Sequence, residues 1–195
     1  MIEPYLAFHG VTKRFGDLEV VAQPFSITVE RNEFVVFLGP SGCGKTTLMR
    51  MIGGLETPSS GAICLEGLPV GGPDHRRGMV FQSYSSFPWL TVAENVLFGM
   101  RYRKDLTEQQ KLARRDNYLE LVGLYEFSDA YPNKVSGGMR QRVAIARTLA
   151  AGSDVLLMDE PFGALDAQRR ERLQVELRAI QQRDAKTIVF VTHDV

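Results

Sequence analysis

The chain has 195 residues, enough for one domain with a substantial core, and its composition is ordinary for a folded protein, at 44% hydrophobic and 24% charged. Lys plus Arg equals Asp plus Glu at 23 each, so the formal net charge is zero. That argues against a broad electrostatic footprint for nucleic acid. No apolar run approaches a membrane span, and Met1-Ile2-Glu3-Pro4 carries no signal-peptide pattern. Cys43 and Cys64 are the two cysteines, and Cys43 sits in a glycine-rich turn, so a structural disulfide is not expected and a reducing, cytosolic setting is.

Tyr5 to Val29 reads as β-rich, with alternation in Leu6–Val11 and better alternation in Phe25–Val29. Lys13-Arg14-Phe15-Gly16-Asp17 between them is a turn signal carrying an aromatic residue. The Phe15 face could accept a planar base, although position alone favours ordinary packing.

Glu33 to Leu38 is a continuous apolar run, expected as a strand buried on both faces of a parallel sheet. It feeds Gly39-Pro40-Ser41-Gly42-Cys43-Gly44-Lys45-Thr46-Thr47, which fits G-x-x-x-x-G-K-[ST] and opens a helix running from about Gly44 to Gly53. Glycines there let the backbone turn tightly and aim several N–H groups at one point, and the helix adds its positive end. Lys45 can reach terminal phosphates and the Thr46 hydroxyl can hold Mg²⁺.

A turn at Thr57–Gly61 and a short strand from Ala62 to Glu66 follow. His75 beside Arg76 and Arg77 reads as solvated surface. Gly78 to Gln82 is a further strand, and a Gln82 at its carboxyl end would stand where open α/β sheets place ligand contacts. Tyr84, Phe87, Trp89 and Phe98 gather in the next stretch, either as a contact surface or as internal packing. Helices are expected over Thr91–Gly99 and Leu106–Val122, the second capped by Thr107 with a stripe at Leu112, Leu119 and Val122. Thr91 to Ala150 is helix-dense and reads as a helical subdomain inserted into an α/β core.

Ser136-Gly137-Gly138 opens a helix that runs to about Ala150, with Ser136 as its cap. A serine hydroxyl, bare N–H groups and the dipole end make a second anion-ready site. Asp154 to Pro161 is a buried strand ending in Asp159 and Glu160. Two acids at a strand tip are costly unless a cation or water satisfies them. Mg²⁺ shared with Thr46 would satisfy Asp159, and strand alternation would point Glu160 the other way, toward a water. A turn through Asp166 leads to a helix over Ala167–Arg183, striped by Leu173, Leu177 and Ile180. Thr187–Thr192 is a β-branched strand with His193 at its tip.

Together these stretches resemble the nucleotide-binding subunit of ATP-binding cassette (ABC) transporters over nearly the whole chain. Gly39–Thr47 resembles Walker A, Val155–Glu160 resembles Walker B, and Ser136–Gln141 resembles the family signature, the most specific of the three. Val135 and Met139 depart from its usual Leu and Gln.

The resemblance implies a single cassette domain: a P-loop NTPase α/β core, mostly parallel, with an N-terminal antiparallel β part over about 1–90 and 151–195, and a helical subdomain over about 91–150. It implies that the family's usual C-terminal continuation past the switch histidine is missing here. ATP and Mg²⁺ are the implied cofactors. Phe15 would stack on adenine, Glu160 would act as base, His193 as switch histidine, Gln82 as the metal-sensing glutamine and Asp166 as the D-loop acid. Ser136, Gly137 and Gly138 would cap the ATP of a second cassette.

The implied partners are that second subunit, transmembrane permease subunits and a periplasmic or extracellular solute-binding protein, with the chain held at the cytoplasmic face of the inner membrane. Phe87–Val96 is similar to importers of nitrate, sulfonates and taurine. The rival reading, a soluble ABC ATPase acting on nucleic acid or ribosomes, lacks its usual marks. The interval of about 90 residues between Lys45 and Ser136 shows no sustained heptads, and one cassette is present.

Overall fold

The computed structural model describes residues 4–81, 86–163 and 167–192. Its strands form two four-stranded sheets among the described residues. The first is antiparallel, in the order β2-β1-β4-β5, built from β1 (Leu6–Phe15), β2 (Leu18–Val29), β4 (Ser60–Leu65) and β5 (Leu68–Pro69). The second is parallel, in the order β3-β8-β7-β6, built from β3 (Phe34–Leu38), β6 (Arg77–Val80), β7 (Val155–Asp159) and β8 (Thr187–Thr192).

One apolar core lies between the sheets. Phe8, Phe25 and Phe37 meet edge-to-face there, with centroids 5.4–6.3 Å apart, and α1 (Lys45–Ile52) contributes Leu48, Met49, Met51 and Ile52. A second core lies on the other side of the parallel sheet, where α2 (Val92–Phe98), α3 (Glu108–Leu121), α4 (Gly137–Ala151) and α5 (Ala167–Arg183) cover it. β7 is buried along its whole length because both cores press on it, as its Val-Leu-Leu-Met run requires.

The helix boundaries follow local chemistry. Thr91 and Thr107 each close a capping box, with Glu94 and Gln110 reaching back to the cap amide. Ser136 Oγ accepts from the Met139 amide at 3.3 Å. α4 stops at Gly152, whose φ of 80° is natural for glycine. Short 3₁₀ turns at Tyr125–Phe127 and Pro132–Lys134 link α3 to α4.

Three expectations need correction. β3 is not buried on both faces: it is an edge strand of the parallel sheet among the described residues, and Val36 and Leu38 are 49% and 56% exposed. Leu112 does not join the stripe of α3; it is exposed, while Leu119, Val122 and Tyr118 are buried. Only the last turns of α3 reach the core, so its early residues face solvent. Finally, β1 continues through the expected turn to Phe15, because Lys13, Arg14 and Phe15 still pair with β2.

Candidate nucleotide site

All four parallel strands end at one edge, and the chemistry collects there. β3 runs into the loop 39–44, β7 ends at Asp159, and β8 ends at Thr192 beside it. Gly44 takes φ 94°, a left-handed conformation. A Cβ at that position would stand 2.9 Å from the Val20 carbonyl oxygen and 3.2 Å from Val21 Cγ2, so β2 presses directly on the loop. Gly42 also has a left-handed φ, 82°, but faces open space.

α1 differs from α2, α3 and α4 at its start. α2, α3 and α4 have a hydroxyl cap, whereas Gly44 offers no side-chain cap to α1. The first amides of α1 are thus left for a ligand, at the positive end of the helix. Lys45 is only 8% exposed, and its ammonium donates to the Gly39 carbonyl at 2.6 Å and the Pro40 carbonyl at 2.7 Å. The loop therefore folds around its own cation, and an anionic ligand would exchange those carbonyls for phosphate oxygens.

Asp159 is 3% exposed and accepts a hydrogen bond from Thr46 Oγ1 at 3.1 Å. Burial raises its pKa; the Thr46 bond opposes this, the Glu160 charge adds to it and the Lys45 charge opposes it. A carboxylate made costly by desolvation, beside a hydroxyl oxygen, is a fitting donor pair for a hard cation such as Mg²⁺.

Glu160 reaches its position by a route that alternation does not describe. The strand stops at Asp159, and Glu160 has φ 45°, a left-handed conformation that is strained for glutamate. Its amide donates to the Val191 carbonyl at 3.0 Å, and its carbonyl accepts from Gly163 N–H at 3.2 Å, so neighbours on both sides fix the turn. Glu160 lines a cavity of about 510 Å³ with Phe162, Phe190 and Thr192.

The remaining residues fall into three groups. Phe15 is exposed at the tip of β1, with the Lys13 ammonium 4.4 Å from its ring centre. Ser136, Gly137 and Gly138 start α4, and the exposed Ser136 hydroxyl has only the Met139 amide as hydrogen-bond partner among the described residues. Gln82, Asp166 and His193 lie outside the described residues.

Sequence reasoning missed Asn95. It is fully buried, and its amide holds the loop before α2: Oδ1 accepts from the Phe87 amide at 2.7 Å, and Nδ2 donates to the carbonyls of Phe87, Leu90 and Thr91. The signal was an asparagine on the inner face of a short helix, at a position where an apolar residue would be expected. The loop it holds presents Phe87, with Phe98 at 4.5 Å, Trp89 at 5.5 Å and the Arg147 guanidinium at 4.9 Å. Trp89 is 69% exposed, so part of this aromatic group is surface.

A glycine-rich loop between strand and helix, an acid-tipped strand next but one in the same sheet and a serine-capped glycine helix define a P-loop ATPase of the cassette type. The comparisons with known proteins agree. The family model described as ABC transporter matches residues 22–163, and the chain belongs to that family. An uncharacterized ABC transporter ATP-binding protein of Methanocaldococcus jannaschii is 51% identical over 193 residues, covering 97% of this chain and 72% of that protein. The nitrate import ATP-binding protein of Synechocystis sp. is 51% identical over 176 residues, covering 90% of this chain and 66% of its own length.

Among solved structures, a dimeric post-hydrolysis state of an ATP-binding cassette bound to ADP and Pi superposes with a TM-score of 0.86 at 34% identity, covering 97% of this chain and 88% of that one. The protein is an ABC ATPase that uses ATP and Mg²⁺. Among the described residues no helix is long and apolar enough to cross a membrane.

Proposed function

We propose that this cassette drives solute import by closing on ATP together with a second cassette, against the permease subunits of a membrane complex. The observation that carries the reading is the pair of unlike helix starts: α1, which has no side-chain cap, and α4, whose Ser136 is exposed and whose glycines are half-buried. In this reading one triphosphate uses both, each from one of two facing subunits. Binding energy then becomes closure, which a permease can read as motion.

In this reading the loop 39–47 holds the phosphates and Lys45 leaves its carbonyls for the terminal oxygens. Thr46 and Asp159 would hold Mg²⁺ together with Gln82, and the ion, when bound, neutralises phosphate charge. Glu160 accepts the proton of the attacking water, and His193 donates a hydrogen bond toward the terminal phosphate. Phe15 stacks on the base, and Asp166 contacts the opposite subunit near its nucleotide. After hydrolysis the shared phosphate is gone and the two halves part. The Phe87–Trp89–Phe98 group is the surface on which a permease would seat, and Asn95 keeps it in shape.

The cargo is proposed as a small anion of the nitrate, sulfonate or taurine kind, supplied by a periplasmic or extracellular binding protein. Support comes from the sequence around Phe87–Val96 and from relatives whose names include nitrate import and sulfate/thiosulfate import. The site of action would be the cytoplasmic face of the membrane. The test is isolation from detergent-solubilised membranes, followed by ATPase assay with and without solute-loaded binding protein. Co-purification with an integral membrane partner and a hydrolysis rate raised by the loaded protein are expected. Full activity in isolation, with recovery on nucleic acid instead, would overturn the reading.

A further inference from the structure

A second cleft, of about 860 Å³, opens between α3, the end of α4 and the turn joining α5 to β8. It lies at the amino ends of β7 and β8, the opposite edge of the sheet from Asp159, roughly 15 Å away at the rise of a five-residue strand. Arg103, Arg114, Arg183 and Lys186 line it, against a single lining acid, Asp184, which accepts from Arg183 Nε at 2.7 Å and Nη2 at 3.0 Å.

Part of this charge serves the end of α4. Arg103 Nη1 donates to the Ala151 carbonyl at 2.8 Å, Arg114 Nε to Ala150 at 2.9 Å and Lys186 Nζ to Gly152 at 3.2 Å. A helix end offers only about half a unit of negative charge. Asp105 and Asp154 pair with Arg103 and Lys186 from the solvent side, their side chains being more than half exposed, so water screens them. Arg114 has no carboxylate within ion-pair distance among the described residues, and its guanidinium lies over the buried Tyr118 ring at 5.5 Å.

Gly152 shows how closely the cations are brought together. A Cβ there would overlap Arg103 Nη1 and stand 3.2 Å from Arg114 Nη2. Two guanidinium groups thus converge on one glycine, an arrangement that raises the energy of the empty cleft and lowers that of an occupied one.

We propose that this cleft binds an oxyanion, either free or as the phosphate or sulfonate head of a small organic anion, between Arg114 and Lys186, with the Asp184-paired Arg183 beside them. The head takes charge-assisted hydrogen bonds from these donors. Leu106, Leu121 and the Tyr118 ring offer an apolar wall for an organic remainder. Arg114 comes from the helical subdomain and Arg183 and Lys186 from the core, so a bound anion ties the two together at a point remote from the nucleotide. The assignment stands independently of the import reading.

The test uses inorganic phosphate and phenyl phosphate as probes, with chloride at matched ionic strength as control, on the full chain saturated with Mg-ADP. Calorimetric titration should show phosphate binding, weakened about tenfold by Arg114→Gln or Lys186→Gln and unaffected by Lys45→Ala. Asp184→Asn, which removes the lining acid, should tighten it. Tighter binding of phenyl phosphate identifies an organic anion as the natural ligand, and equal or weaker binding identifies the free ion. Binding no stronger than chloride overturns the proposal. So does a signal lost in Lys45→Ala and kept in Lys186→Gln. Should the cation variants fail to fold, an unchanged affinity in Asp184→Asn overturns it equally.

Discussion

Thr46 Oγ1 donates to Asp159 Oδ1 at 3.1 Å, joining the end of the glycine-rich loop to the tip of β7 across 113 positions of sequence. The Asp159 carboxyl is buried and its pKa is raised chiefly by that burial. In the nucleotide-free fold the ionised form is therefore a cost, and this cost is the affinity reserve on which a cation draws.

The sign follows from proton binding. Between the ordinary aspartate value and the raised one, the folded state holds more protons than the unfolded state, so this group's contribution to stability falls as pH rises through that window and stays reduced above it. Asp159→Asn should therefore raise the neutral-pH stability of the nucleotide-free protein, read as a higher Tm. It should also abolish Mg²⁺-dependent hydrolysis. Thermal melts check the first half and a phosphate-release assay in Mg-ATP the second, and a lowered Tm would contradict the desolvation argument.

Lys45 is held by the Gly39 and Pro40 carbonyls at 2.6 and 2.7 Å. Lys45→Ala removes the cation that a phosphate would recruit, and ATP affinity should fall about 100-fold, about 2.8 kcal/mol. Titration of a fluorescent nucleotide reads this directly. Unchanged affinity would mean that the loop amides alone hold the triphosphate.

Two glycines of the same loop should respond differently. At Gly44 an added Cβ meets the Val20 carbonyl at 2.9 Å as well as an unfavourable φ, whereas at Gly42 only the φ is unfavourable. Gly42→Ala should cost about 1 kcal/mol of stability and Gly44→Ala about 2–3 kcal/mol. Chemical denaturation of the pair measures the difference, and equal losses would show that β2 yields.

Asn95→Ala removes four hydrogen bonds to the loop before α2 and takes their side-chain partner from the Phe87 amide and the Leu90 carbonyl, while the Phe87 and Thr91 carbonyls keep backbone donors. A loss of about 2–4 kcal/mol is expected, with Trp89 fluorescence shifting before global unfolding. In the assembled transporter, hydrolysis should lose its dependence on the permease. Retained coupling would place the permease contact elsewhere.

The glycine-rich loop, the acid-tipped strand and the serine cap of α4 were legible because each is a local pattern with a local cause. Strand termini, helix caps and turn glycines depend on neighbours in sequence. The exposure of β3 was not legible, since an apolar run looks the same at the edge and in the middle of a parallel sheet, and only the order β3-β8-β7-β6 decides it. Alternation points Glu160 away from Asp159, yet its backbone leaves the strand with φ 45° and its turn is fixed by Val191 and Gly163. Asn95, Arg103 and Arg114 act on main-chain carbonyls, which carry no residue identity that a sequence could show. Gln82 and His193 were placed at strand tips by pattern, the roles of both and of Asp166 came from the resemblance, and all three lie outside the described residues.

The account rests on the triphosphate joining two cassettes, so its most direct test is the mass of Glu160→Gln in ATP, measured by light scattering and repeated in Glu160→Gln with Ser136→Arg. Glu160→Gln should be dimeric in Mg-ATP and monomeric in Mg-ADP. The double variant should bind ATP as tightly per subunit yet stay monomeric. A Glu160→Gln protein that remains monomeric in saturating Mg-ATP, or a dimer that survives Ser136→Arg, would contradict the account.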